Sequence, residues 1–362
     1  MNLRDKRQWE FADRWYNTGQ FGILHLCPRF GKIYTSINIL EKYFPSDARI
    51  LITYPDNKIK DSWIEDFKKR NYTNNNIAYT SHLSLHKYKD EYDLIIIDEI
   101  HLLSNNQINV CKDLFKYNSK ILGLSGTISN HTETKLNIEL DLYIVGEYPI
   151  ELGIEEGVIV DYEIRIIKTK LDDKIINKYK TKSRTEKGQF KALSFVINKL
   201  EEDSKNTKFL RLSRMRIIQN SISKINVTKK LLKEFENERV LVFGGTISSI
   251  EKLNISTHHS KSKSDEGFNN FVSGGGNHLA VVKIGNAGIT YKPLNKVIIS
   301  YFNSNSENLT QQINRCMSME YNNPDKKAII YIITTDEPVE LRWLTKALEF
   351  FDKEKIKYYR LK

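Results

Sequence analysis

The sequence predicts an α/β protein of two parallel-sheet domains joined by a basic, mostly helical connector. Three observations lead there. The chain has 362 residues, more than one compact core usually serves. Short apolar, β-branched runs alternate with amphipathic helical patterns in two separate series, as strands covered on both faces of a parallel sheet require. Between the two series lies an excess of positive charge. Residues 165–239 carry 21 Lys and Arg against 9 Asp and Glu, a balance of +12 in a chain whose net charge is +11.

The first series sets a domain over residues 1–150. Its expected strands are GILHL (22–26), RILITY (49–54), IAYTS (77–81), DLIIIDE (93–99) and KILGLSG (120–126), separated by helical patterns such as KIYTSINILEKYF and KDSWIEDFKKR. Residues 151–236 form the basic connector and the start of the second domain, reading as strand and then mostly helix. The second domain, 237–362, carries RVLVFGG (239–245), HLAVVKI (278–284), KVIISYF (296–302) and KAIIYIIT (327–334). Gly274-Gly275-Gly276 has no strand and helix placed to make it a phosphate loop and reads as a turn.

At 40% hydrophobic and 28% charged residues, the composition is that of a soluble globular protein. The apolar runs are strand-sized, well short of the ~20 residues of a membrane span. The opening MNLRDKRQWEF does not fit a signal peptide. Cys27, Cys111 and Cys316 lie far apart, which predicts reduced thiols in a cytoplasmic protein, and the eight histidines make no zinc pattern. The basic segment suggests a polyanion such as nucleic acid, although a solvated helical face would carry the same charge.

Two stretches carry chemistry. In LHLCPRFGKIYTS (24–36) a strand runs into a tight loop, and Gly31-Lys32 opens a helix. Backbone N–H groups at a helix N-terminus attract anions, and Lys32 adds a point charge for phosphate. The usual loop has a glycine where Phe30 or Arg29 nears the turn and a hydroxyl where Ile33 stands. Thr35, two residues on, sits at a helical angle of about 200° from Ile33 and is a poor substitute. In DLIIIDEIHLL (93–103) a hydrophobic strand ends in Asp98-Glu99, at the sheet edge where ligands bind in open parallel sheets. Asp98 suits Mg2+, and Glu99 suits polarising a water that attacks a γ-phosphate. An isolated Asp-Glu would be two solvated acids; following a Gly-Lys loop it reads as a nucleotide site.

These stretches resemble the superfamily 2 helicases and translocases. Asp98-Glu99-Ile100-His101 is similar to their D-E-x-H box, and Leu124-Ser125-Gly126-Thr127 to the S/T-A-T motif. Pro28-Arg29-Phe30-Gly31-Lys32 is similar to a compact R-x-GKT loop. Leu3 to Gln8 resembles the upstream glutamine motif that reads adenine, one residue longer than usual. TYPDNKIKDSW (53–63) resembles the segment with a proline after a strand and a Trp-bearing helix. LVFGGTISSIEKL (241–253) resembles motif IV and KIGNAGITY (283–291) motif V, matching at Gly288 and Thr290. LTQQINRCMS (309–318) resembles motif VI, matching at Gln311 and Arg315, with Ser318 where a second arginine is common.

The resemblance implies two RecA-like domains with ATP and Mg2+ in the cleft between them. Lys32, Asp98 and Glu99 would come from the first domain and Gln311 and Arg315 from the second. Gln8, Arg29, Phe30, Gly31, Ile33, Gly288 and Thr290 would complete the cofactor contacts, and His101 would couple the domains. A lean chain with a Ser-Trp pair after the second strand looks most like phage branched-DNA helicases, implying a monomer acting on DNA in preference to RNA. Two other readings compete. Ile33 and Ser318 suggest a nucleic-acid-binding protein on a degenerate helicase fold; the chain could also be the motor subunit of a nuclease or defence complex. The four tryptophans lie in helical patterns and are read as packing residues, not base-stacking platforms.

Overall fold

A computed structural model describes residues 2–118, 120–175, 177–179, 182–203, 205–282, 291, 294–303, 306–318, 326–349 and 351–360. The chain divides into two compact units at Val160/Asp161.

The first unit runs α1 (Leu3–Asn17), β1 (Phe21–Leu26), α2 (Lys32–Tyr43), β2 (Ile50–Tyr54), α3 (Asn57–Lys69), β3 (Ile77–Ser81), β4 (Leu94–Asp98), α4 (Asn105–Phe115), β5 (Ile121–Ser125), α5 (Asn130–Leu140), β6 (Ile144–Tyr148) and α6 (Ile150–Glu155). Its six strands are ordered β3-β2-β4-β5-β1-β6, and every pairing is parallel. β2, β4 and β5 are buried at every position, which is why they read as unbroken apolar runs. Ile23, Ile95, Ile97 and Ile121 meet Ile108, Cys111 and Leu114 of α4 and Leu136 and Leu140 of α5. Their alternates Leu24, Ile96 and Leu122 are equally buried, toward the side that carries α1, α2 and α3. β6 is absent from the sequence reading because it lies at the sheet edge with a half-exposed pattern and a glycine.

The second unit runs β7 (Asp161–Thr169), β8 (Asn177–Tyr179), β9 (Lys182–Arg184), α7 (Glu186–Glu202), α8 (Lys208–Gln219), α9 (Ile222–Glu234), β10 (Val240–Gly244), α10 (Ile247–Glu251), β11 (Ser256–His258), α11 (Glu266–Ser273), β12 (His278–Val282), β13 (Lys296–Ile299), α12 (Ser306–Ile313), β14 (Lys327–Thr335), α13 (Pro338–Ala347) and β15 (Ile356–Tyr358). Its main sheet is ordered β11-β12-β10-β13-β14-β7-β15, again all parallel. The expectation of two parallel α/β sheets is met.

The basic segment is not a separate body. β7 pairs with β14 over nine residues, from Asp161 against Lys327 to Thr169 against Thr335. Leu231 and Leu232 of α9 enter the core beside Val240, Val242 and Ile298. α7 and α8 close a satellite core of Leu171, Phe190, Ile217 and Ile218, against which Val339 and Trp343 of α13 pack. Gly274 ends α11 at φ 112°, a left-handed position that suits glycine, so the triple glycine is a helix stop. No described helix is long and apolar enough to cross a membrane.

Candidate functional site

In the first unit, β1 and β4 flank β5, so the loop after β1 and the end of β4 meet at the same C-terminal sheet edge. Gly31 caps α2 at φ 104°. A Cβ there would lie 2.4 Å from Gln8 Nε2, so both backbone sign and space restrict this position to glycine. Gln8 is buried, and its Nε2 donates to the Phe30 carbonyl at 2.8 Å. It therefore braces the loop from behind. Arg29 takes the left-handed conformation at φ 70° and is half-buried. Phe30 precedes Gly31 in the loop. Its ring is fully buried, edge-on to Phe11 at 5.7 Å and tilted on Tyr148 at 4.5 Å, so only its backbone is left to face a ligand.

Lys32 Nζ donates to Glu99 Oε1 at 2.5 Å. Glu99 is itself left-handed at φ 51°, ψ 50°, a conformation that costs a non-glycine residue of order 1–3 kcal/mol. That turn lets its N–H donate to Asp98 Oδ1 at 2.9 Å. Trp63 Nε1 donates to Asp98 Oδ2 at 2.9 Å across buried surroundings. Burial pushes the Asp98 carboxyl up to about 6, against the pull of Lys32. Burial would also raise Glu99, but the Lys32 and His101 charges and the Lys32 hydrogen bond bring it below its ordinary value. Lys32 is raised despite its burial, because Glu99 and Asp98 both favour the ammonium.

His101 Nδ1 lies 2.7 Å from Ser125 Oγ, and Ser125 Oγ donates to the Thr127 carbonyl at 2.8 Å. With that proton committed, the imidazole donates through Nδ1. Burial lowers His101 to about 4, so the ring is neutral near pH 7 and joins the end of β4 to the turn after β5.

The hydroxyls near Ile33 are turned away. Thr35 and Ser36 are fully buried, and their Oγ atoms bond the Gly31 and Lys32 carbonyls at 3.2 and 3.0 Å. Ile33 itself is half-buried. Among the described residues no group of three or more His, Cys, Asp or Glu could hold a metal unaided. Mg2+ commonly takes one or two carboxylates together with substrate phosphates and water. The hard oxygens of Asp98, each accepting one hydrogen bond and each with lone-pair capacity remaining, fit that ion.

In the second unit Gln311 and Arg315 come together. They line a cavity of about 280 Å³ with Gly244, Tyr301 and Asn303, at the C-terminal ends of β10 and β13. Arg315 is buried. Gly288 and Thr290 lie outside the described residues. The Trp-bearing helix is legible in the sequence motif at 53–63, but the bond from Trp63 to Asp98 is not.

Residues 223–320 match the family model described as the helicase conserved C-terminal domain. The fold is similar to that of S. cerevisiae Dbp5 bound to RNA and ADP BeF3, with a TM-score of 0.60 at 11% identity over 94% of this chain and 85% of that one. A single-residue variant of Dbp5, in complex with the same ligands, gives the same values. No curated protein matches the sequence. The two parallel α/β units thus have the tandem RecA-like helicase fold. Residues 223–320 carry the helicase C-terminal domain match on that fold.

Proposed function

We propose that the chain hydrolyses ATP to move along or remodel nucleic acid. The observation that carries this reading is the buried Lys32–Glu99–Asp98 cluster at the N-terminus of α2, with Lys32 Nζ at 2.5 Å from Glu99. Lys32 and the N–H groups at the start of α2 would hold the β- and γ-phosphates. Asp98 would hold Mg2+, which when bound neutralises charge on the transferring phosphate. Glu99, kept ionised by Lys32, would accept a hydrogen bond from the attacking water and orient it. Gln8, fixed against Phe30, is suited to the base. Gln311 and Arg315, with Gly288 and Thr290, are the second domain's candidates for nucleotide contacts.

Duplex or branched DNA is the favoured track, on the resemblance to phage branched-DNA helicases, with work as a monomer in the cytoplasm. Dbp5, a structural neighbour, is seen bound to RNA, so RNA is a necessary arm of the test. One observation favours a second reading, a nucleic-acid-binding protein with weak hydrolysis. Thr35 and Ser36 are committed to helix carbonyls, and Ile33 brings no hydroxyl.

The deciding experiment measures ATP turnover without nucleic acid and with single-stranded, duplex and branched DNA and RNA, for the natural chain and Lys32→Ala. Turnover stimulated by branched or duplex DNA and abolished by Lys32→Ala is expected. Turnover unchanged in Lys32→Ala would remove the nucleotide-site assignment, and stimulation by RNA alone would remove the DNA preference.

A further inference from the structure

A second hollow in the second unit shares no lining residue with the cavity of Gln311 and Arg315. It has a volume of about 840 Å³ and is walled by α7, α8 and α13. Lys205, Lys208, Arg211, Arg214 and Arg342 line it, with Glu201 the single acid of the lining. Glu201 is already engaged: it accepts from Arg211 at 2.6 Å and from Thr207 Oγ1 at 2.9 Å. The cations therefore exceed what the wall neutralises. Arg214, held at 3.2 Å from Ser194 Oγ and over the Phe190 ring, is pressed below the ordinary guanidinium value by burial and by the charges of Arg211 and Arg342. The apolar part of the wall is Leu212, Met215 and Trp343. The same helices expose Phe209 at 79% and Phe195 at 72%.

Crowded guanidiniums beside an aromatic and aliphatic wall match one kind of ligand, a chain of phosphates carrying flat apolar bases. A half-open hollow of this size takes one or two nucleotides and is too small to admit a duplex. We propose that the α7–α8–α13 hollow is a second nucleic-acid site that grips a single-stranded segment, with its phosphates on Arg211, Arg214 and Arg342 and an unstacked base against Trp343 and Leu212. The proposal rests on the nucleic-acid reading above but not on hydrolysis. It places an anchor on the basic helices, away from the residues assigned to the nucleotide. A protein so equipped would prefer substrates in which a single strand is available, such as junctions and tailed duplexes.

The test uses the full chain, without nucleotide, and a fluorescent oligothymidylate whose anisotropy is followed across a salt series. Arg211→Gln with Arg342→Gln should bind roughly tenfold or more weakly, and its salt slope should fall by about 1.4, since each single-strand phosphate contributes about 0.7. Trp343→Leu should weaken binding at unchanged salt slope. Basal ATP turnover without nucleic acid should be unaltered in both variants. Unchanged affinity and slope in the double variant would overturn the proposal, as would equal competition by polyglutamate at matched charge, which would show a general polyanion patch. Failure of the motor reading would look different: the natural chain would show no turnover on any nucleic acid while oligothymidylate binding could still depend on Arg211 and Arg342.

Discussion

The indole of Trp63 fixes Asp98 Oδ2 at 2.9 Å, so the carboxylate assigned to Mg2+ has its rotation locked by a neighbouring helix. Partners of this kind typically matter by 10–100-fold in metal affinity or activity. Trp63→Phe keeps much of the packing but removes the donor. It should raise the Mg2+ concentration needed for half-maximal turnover by about that factor, and an unchanged Mg2+ titration would confine Trp63 to packing. Arg315 belongs to the other end of the proposed cycle. An arginine that meets charge developing on the transferring phosphate contributes about 10³–10⁵ in rate. Arg315→Ala should retain near-normal ATP affinity and lose nearly all turnover, whereas Lys32→Ala should weaken both. Turnover within a few-fold of the natural chain would remove Arg315 from that role. At this scale legibility followed distance along the chain. Gly31-Lys32 and Asp98-Glu99 could be picked out because each pair is adjacent and ends an apolar run. The Trp63–Asp98 bond spans 35 residues, and nothing local in either segment announces it. The burial of the Phe30 ring was illegible for a related reason, since its neighbours Phe11 and Tyr148 come from α1 and β6.

Among the elements of the second unit, α9 and α13 are joined by a fully buried ion pair, Lys224 with Glu340. Lys224 Nζ also donates to the Ser300 carbonyl at 3.1 Å, and Glu340 accepts from Thr335 N–H and Oγ1 at 2.7 and 2.6 Å. One pair therefore ties two helices to the ends of β13 and β14. Lys224→Ala would leave Glu340 buried without its counter-charge, and a loss of about 3–5 kcal/mol is expected in denaturant titration. Lys224→Met with Glu340→Leu should recover much of that loss. A loss below about 1 kcal/mol for Lys224→Ala would mean that the helices are held by apolar packing alone. The interior strands were legible because burial on both faces makes them unbroken apolar runs. β11 and β15, three residues each at the two edges of the sheet, carry no such run. The charge of the basic segment was legible too, but not that its helices would close a core with α13.

For the whole molecule, acid should weaken the first unit. Burial holds His82 and His101 down to about 4, against an unfolded value of about 6.5. Their neutral forms support the fold fully above pH 6.5, and that support is lost as pH falls toward 4. Asp98, raised to about 6 by burial, works in the opposite sense, adding stability as it is protonated over much of the same window. Two imidazoles against one carboxyl leave a net loss of at most about 4 kcal/mol between pH 7 and 4. Trp9, Trp15 and Trp63 report on this unit and only Trp343 on the other, so fluorescence-detected denaturation can follow it. His82→Gln should flatten the pH dependence; an identical slope would show that His82 takes up its proton equally in the folded and unfolded chain.

The nine-residue ladder between β7 and β14 also has a consequence during synthesis. All six strands of the first unit have been made once Tyr148 emerges from the ribosome, so that unit can fold while translation continues. β7 follows at once, but its partner β14 lies about 165 residues downstream. At 5–20 residues per second, Ile164, Ile166 and Ile167 wait roughly 8–30 seconds for the strand that buries them. An apolar strand with open edges over that interval is the point at which the nascent chain is most exposed to wrong pairing and most dependent on a chaperone's cover.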